Sequence, residues 1–171
     1  RPKRVRFYLG ESKGGVSGGT AASLLHVLEA AGRDPDIRQS LRHPYGLDPE
    51  PKPRGPDGRD QVGIRFDSDL GSWTAPFVMA PINTRVVRRS HALRGHPYGD
   101  DFSYREAMST GPGPRGLARA LAITAGLGGF LAAAGVTPIR RALWDRLLPK
   151  PGEGPSKAER DAGFFTVRLL A

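Results

Sequence analysis

The sequence predicts an α+β domain, a mixed sheet with strands near both termini that is covered by several helices and interrupted by one long Pro/Gly-rich loop. Three observations carry this. Alternating, strand-forming runs stand near both ends, at residues 5–9 and 164–170. Segments with helical spacing of apolar residues lie between them. Punctuation is dense, with 23 Gly and 16 Pro in 171 residues, which implies many loops between modest elements. A chain of 171 residues can bury its own core, so we read 1–171 as a single domain.

The elements follow in order. Val5, Phe7 and Leu9 alternate with Arg6 and Tyr8 to make the first strand. A glycine-rich loop follows, containing Gly14, Gly15, Ser17, Gly18 and Gly19, and Thr20 opens a helix whose Ala21, Leu24, Leu25 and Leu28 share a face. Gly32 is a natural stop for it. Asp34 and Pro35 begin a short helix over 34–41. Residues 44–62 read as a solvated loop, since 44–60 alone holds five prolines and three glycines. Helical spacing over 82–93 is expected to turn Ile82, Val86 and Leu93 inward, with Arg85, Arg88 and Arg89 elsewhere on the helix. Residues 101–107 alternate as a strand. Residues 138–148 form a basic amphipathic helix. Ser156 and Glu159 make a capping box, Gly163 ends that helix, and 164–170 is the last strand, placed to pair with the first.

Composition excludes several functions. With no cysteine there is no disulfide scaffold, thiolate zinc site or cysteine nucleophile. His26, His43, His91 and His96 show no ligand spacing, so no metal is expected. The net charge is +9, concentrated at Arg1, Lys3, Arg4 and Arg6 and at Arg85, Arg88, Arg89 and Arg94. No nucleic-acid reading module accompanies it, so an acidic protein or phosphorylated ligand is the expected counterpart rather than nucleic acid. Residues 120–139 carry no charge and could span a bilayer by length, but Ala and Gly dominate and Pro138 interrupts them. A buried or interfacial helix is the preferred reading, in a cytoplasmic protein with membrane association left open.

Two motifs resemble catalytic signatures. Gly111, Gly113 and Gly116 form G-x-G-x-x-G, but Pro112 and Pro114 lack the N–H groups that a pyrophosphate needs, and no acid follows until Asp145. A turn is the expected role. Gly15, Ser17 and Gly19 form G-x-S-x-G, which would make Ser17 a hydrolase nucleophile; the intervening residues 10–14 favour a helix entry capped by Ser17 or Thr20. Arg85, Arg88 and Arg89 sit three and four apart, either as a solvated face or as a phosphate or carboxylate clamp. Residues 149–155 form a stiff loop, either a linker or the edge of a site.

Ser17, Gly18, Gly19 and Thr20 opening a helix, the run 76–90, Tyr98-Gly99 with 102–106, and the loop 149–156 occur in one order that resembles the saccharopine dehydrogenase-like oxidoreductases of actinobacteria, in particular the trans-acting enoyl reductases. The resemblance implies an N-terminal Rossmann domain binding NAD(P), followed by a substrate-binding and association domain of the present kind. That Rossmann domain is not in this sequence, so the chain is expected to be a fragment of the larger enzyme and inactive alone. An apolar run at Leu169, Leu170 and Ala171 and a first residue Arg1 agree with that expectation. The resemblance further implies reduction of an enoyl group carried on a polyketide synthase during lipid synthesis. Its partners would be the missing Rossmann domain and an acyl-carrier protein, with a homodimer and peripheral membrane contact also open. Ser17, Gly18, Gly19, Thr20, Asn83, Arg85 and Lys150 are the expected substrate-binding residues. A serine hydrolase using Ser17, and a basic non-enzymatic module that binds membrane or an acidic protein, are the rival readings.

Overall fold

The computed structural model describes residues 2–14, 18–49, 55–136 and 152–171. The predicted helix at 138–148, Ser17 and Lys150 lie outside the described residues. Strand β1 (Arg4–Lys13) is followed by helices α1 (Gly18–Arg33) and α2 (Pro35–Arg42), strands β2 (Arg65–Asp67) and β3 (Ser72–Ala75), helix α3 (Ala80–Leu93), strand β4 (Ser103–Gly111), helix α4 (Gly113–Gly135), helix α5 (Lys157–Asp161) and strand β5 (Phe164–Leu170). The strands form one five-stranded sheet in the order β2-β3-β4-β1-β5. β1 runs parallel to β4 and antiparallel to β5, so the sheet is mixed. The α+β architecture and the pairing of the two terminal strands are as the sequence predicts.

Local chemistry explains most boundaries. Asp34 caps α2, its Oδ1 accepting from the amides of Asp36 at 2.8 Å and Ile37 at 3.3 Å, and Pro35 supplies the first turn. Ser156 and Glu159 close a reciprocal capping box on α5, with bonds of 3.2 and 2.7 Å. β4 starts where the Ser103 amide donates to the Lys3 carbonyl at 2.8 Å and runs four residues beyond the predicted 107. Gly111 and Gly113, at φ of 97° and 64°, then turn the chain from β4 into α4, and Gly116 passes too close to the Gly111 carbonyl to carry a Cβ. The G-x-G-x-x-G pattern is thus a tight strand-to-helix turn.

The core is lean in apolar atoms. Among the described residues, six of the ten buried hydrophobic side chains are Ala, and the larger ones are Leu25, Phe102, Tyr8 and Tyr45. Buried polar groups are nearly as numerous: Asp57, Thr74, Thr84, Arg85, Arg88 and Glu106 all sit below one-tenth exposure. Two of the described residues of 44–62 depart from the solvated loop expected of its composition. Tyr45 and Asp57 are buried, and the Tyr45 hydroxyl accepts from the Asp57 amide at 3.1 Å. The loop is held against α3, and the reason lies in the arginines.

Candidate functional site

Helix α3 carries arginines at spacings of three and four, which point guanidiniums to neighbouring positions. Arg88, with its side chain 3% exposed, donates Nε–H to Asp57 Oδ2 at 2.8 Å, and Asp57 is itself 1% exposed. Its two terminal nitrogens donate to the carbonyls of Pro44 at 2.8 Å and Tyr104 at 2.9 Å. Asp57 also accepts from the Ser103 hydroxyl at 2.7 Å and the Tyr104 amide at 3.1 Å. One turn earlier, Arg85 pairs with Asp60 and donates to the Leu41 carbonyl at 2.8 Å. Thr84 donates to Asp60 at 3.0 Å. Arg89 is exposed and donates to the Leu47 carbonyl at 2.6 Å. The anion that the arginine spacing requires is therefore supplied by the chain's own Asp57 and Asp60. A solvated face, the reading of this helix that its charge first suggests, holds for Arg89 and not for Arg85 or Arg88, because buried guanidiniums are retained only where carboxylates and carbonyls satisfy them; Val86 and Leu93, expected inward, are exposed instead, since the ion pairs and not the apolar stripe set which face of α3 is covered.

Glu106 lies beside this network. Its Oε2 accepts from Asn83 Nδ2 at 2.9 Å and its Oε1 from the Tyr104 hydroxyl at 2.8 Å. Burial pushes the Glu106 carboxyl up from its usual range, with the Asp60 charge adding to it and the hydrogen bonds from Tyr104 and Asn83 opposing it. Burial and the bond to Glu106 push the Tyr104 hydroxyl up as well. Both carboxyl oxygens are occupied, so Glu106 orients Asn83 and Tyr104. Arg6 of β1 pairs with Asp67 of β2 at 3.0 Å and with Asp69 at 2.5 Å, and Lys3 pairs with Asp101 at 2.7 Å. Burial and the bond to Asp67 raise the Tyr8 hydroxyl to about 12. Burial alone would raise Asp67, but the Tyr8 hydroxyl, the Leu70 amide and Arg6 together hold it below the usual carboxylate range.

Above Arg85 opens an apolar groove of about 680 Å³, walled by Leu24 and Leu28 of α1, Ile82 of α3, and Leu127 and Leu131 of α4. This volume lies within the range of small-molecule pockets, about 300–1,000 Å³. Two buried polar atoms of groove-lining residues, Arg85 Nε and Thr124 Oγ1, make no hydrogen bond among the described residues.

The expected site residues separate into groups. Gly18, Gly19 and Thr20 form the first turn of α1, the helix that walls the groove one turn later, and the Gly18 amide donates to the Glu153 carbonyl at 2.9 Å. The glycine-rich turn and the loop after residue 151 thus meet, although 135 residues separate Gly18 from Glu153. Arg85 lines the groove, while Asn83 is committed to Glu106. Sequence reasoning missed Asp57, Asp60 and Glu106; the signal was the arginine triplet itself, which required acids from elsewhere in the chain. His91 packs in an aromatic cluster with His96, Tyr98 and Phe102. Helix α4 is long and apolar enough to cross a membrane, and only 11% of its most apolar stretch is buried.

Proteins of known naming resemble this chain. A Mycobacterium tuberculosis (H37Rv) protein, whose name gives its activity provisionally as trans-acting enoyl reductase, is 44% identical over 166 residues, covering 91% of this chain and 39% of the relative. Trans-acting enoyl reductases of Mycobacterium bovis (BCG) and Mycobacterium ulcerans are 36% and 35% identical, each over 88% of this chain and 38% of the relative. The chain is a homologue of trans-acting enoyl reductases. It spans about two fifths of the length of these relatives. No family model and no solved structure matches it.

Proposed function

We propose that this chain is the substrate-side domain of an NAD(P)-dependent, saccharopine dehydrogenase-like trans-acting enoyl reductase. In this reading it works on an enoyl chain carried by the acyl-carrier protein of a polyketide synthase, in lipid synthesis. The observation that carries the reading is 44% identity to one such relative across 91% of the chain. The apolar groove is the structural support, because it offers an acyl chain a wall of Leu and Ile side chains beside the Arg85–Asp60 pair.

The G-x-G-x-x-G turn is poorly suited to a dinucleotide. The G-x-G-x-x-G turn carries Pro112 and Pro114, and its Gly116 amide is already given to the Pro112 carbonyl at 3.2 Å. We therefore assign NAD(P) to a separate Rossmann domain and expect this domain to be inactive without it. What this chain's residues do is bind and orient: α1, α3 and α4 hold the acyl chain and Gly18, Gly19 and Thr20 frame one end of the site, while Ser17 and Lys150 are assigned to substrate binding from the sequence resemblance alone. The exposed apolar surface of α4 supports peripheral contact with a cytoplasmic membrane face as part of the same reading.

The test is steady-state oxidation of NADPH or NADH by the full-length enzyme with 2-enoyl thioesters of increasing chain length. Lys150→Ala should raise KM or lower kcat while the melting temperature stays within a few degrees. Failure of the full-length enzyme to oxidise either nucleotide with any 2-enoyl thioester would overturn the proposal.

A further inference from the structure

Arginines with carboxylate partners hold the fold together; the arginines without them mark a second feature. Arg42, at the end of α2, and Arg59 line the apolar groove at one end. The same two residues line a neighbouring depression of about 440 Å³, together with Arg38 and His43. The two hollows therefore meet at a shared pair of guanidiniums. Arg42 and Arg59 are exposed and make no ion pair among the described residues. Among the described residues the lining of the depression contains no acid, and the one carboxylate in the groove wall, Asp60, is already neutralised by Arg85. An apolar channel thus opens onto a concentrated, uncompensated positive mouth. Guanidiniums that line one hollow repel unless an oxyanion lies between them.

We propose that groove and mouth form one site for a single long acyl chain with an oxyanion head, the chain lying between α1, α3 and α4 and the head between Arg42 and Arg59. A single chain fits better than a two-chain lipid, because the groove's volume is that of one small-molecule pocket. Arg85 Nε, buried in the groove wall without a partner, provides a donor for one oxygen along the chain. The proposal rests on reading the groove as the substrate's. It assigns the anion contact to α2 and the following loop, where neither the arginine triplet of α3 nor the glycine-rich turn had placed it.

The test is equilibrium dialysis of the purified protein, without nucleotide, against labelled palmitoyl-CoA and palmitate held below their micellar concentrations. Because these ligands are saturated, binding is read independently of enoyl reduction, and loss of one does not mimic loss of the other. Binding of either ligand, with coenzyme A alone binding much more weakly, is the expected result. The tighter of the two then identifies the head as phosphate or carboxylate. The double variant Arg42→Glu, Arg59→Glu should weaken binding about tenfold at low salt, an effect that shrinks at high ionic strength as screening takes over. Leu131→Trp, on the exposed wall of the groove, should block the chain, and Leu28→Trp provides a second obstruction if the first is accommodated. Three results would each overturn the proposal. Coenzyme A could bind as tightly as its acyl ester, the arginine reversals could leave affinity unchanged, or phosphatidylglycerol vesicles could compete fully with the single-chain ligands.

Discussion

Replacing Arg88 with Met should be among the most destabilising single changes available in this domain. The side chain is 3% exposed and gives up three hydrogen bonds, to Asp57, Pro44 and Tyr104, at 2.8, 2.8 and 2.9 Å. The larger cost is what it leaves behind: Asp57, 1% exposed, becomes a buried carboxylate whose nearest cation is Arg105 at 3.9 Å, and that side chain is half in solvent. Breaking a buried pair by removing one partner costs about 3–5 kcal/mol. Total stabilities are roughly 5–15 kcal/mol, so a large fraction of the folding free energy is at stake. At about 2–4 °C per kcal/mol for a chain of this size, the melting temperature should fall by roughly 6–20 °C. The assay is urea and thermal unfolding followed by circular dichroism, with Arg89→Met as the comparison. Arg89 is exposed and donates only to the Leu47 carbonyl, so its loss should cost under about 1 kcal/mol. The double variant Arg88→Met, Asp57→Asn should recover part of the loss, because it no longer strands a charge. If Arg88→Met and Arg89→Met melt together, the arginines of α3 do not hold the loop, and the reasoning fails.

Other expectations follow from the same contacts. Glu106 has a folded pKa raised above its ordinary 4.5, so the native state keeps its proton longer than the unfolded chain. Stability should therefore fall as pH rises from about 4.5 through the folded value and then level; Glu106→Gln should flatten that slope in a pH series of urea melts. Asp34→Ala removes the acceptor for two amides of α2 and should cost about 1 kcal/mol by urea denaturation, with no change if the cap is dispensable. Gly116→Ala brings a methyl against the Gly111 carbonyl in the turn, and should cost roughly 1–3 kcal/mol; an unchanged midpoint would show that the turn relaxes freely.

What the sequence made legible is what local chemistry decides. Asp34-Pro35 and the Ser156–Glu159 box specify their helix starts within four residues of chain, and both stand where they were expected. The terminal strands were legible through alternation, and their pairing, Tyr8 with Arg168 and Leu9 with Val167, needed only that they meet. β2 and β3 were not assigned, since three and four residues carry too little periodicity. The buried network was the hardest part. Its acids stand 31 and 25 residues before the arginines they bind, in a stretch whose prolines and glycines read as solvated. Composition registers the flexibility of such a segment but not the two carboxylates that anchor it. For the candidate groove, the sequence singles out Arg85, which lines it, but not Arg42 or Arg59, because an isolated arginine in sequence shows nothing about whether an acid lies near it in space.

That last distinction separates the two roles of arginine in this fold. A net charge of +9 suggests a uniformly basic surface, but Arg6, Arg85 and Arg88 are matched by Asp67, Asp60 and Asp57 and contribute no free positive field. These pairs sit at joints: β1 to the β2 turn, and the loop beneath α3 to the helix. Their loss should therefore register as stability. Arg42 and Arg59 secure no joint among the described residues, and an exposed cation that stabilises nothing is free to be selected for what it binds. Reversal of Arg42 or Arg59 should accordingly leave the melt nearly unchanged and alter only ligand affinity, whereas Arg88→Met should do the opposite. A fold whose core is built partly from ion pairs divides its charges in this way, and counting positive residues without their partners cannot separate the two classes.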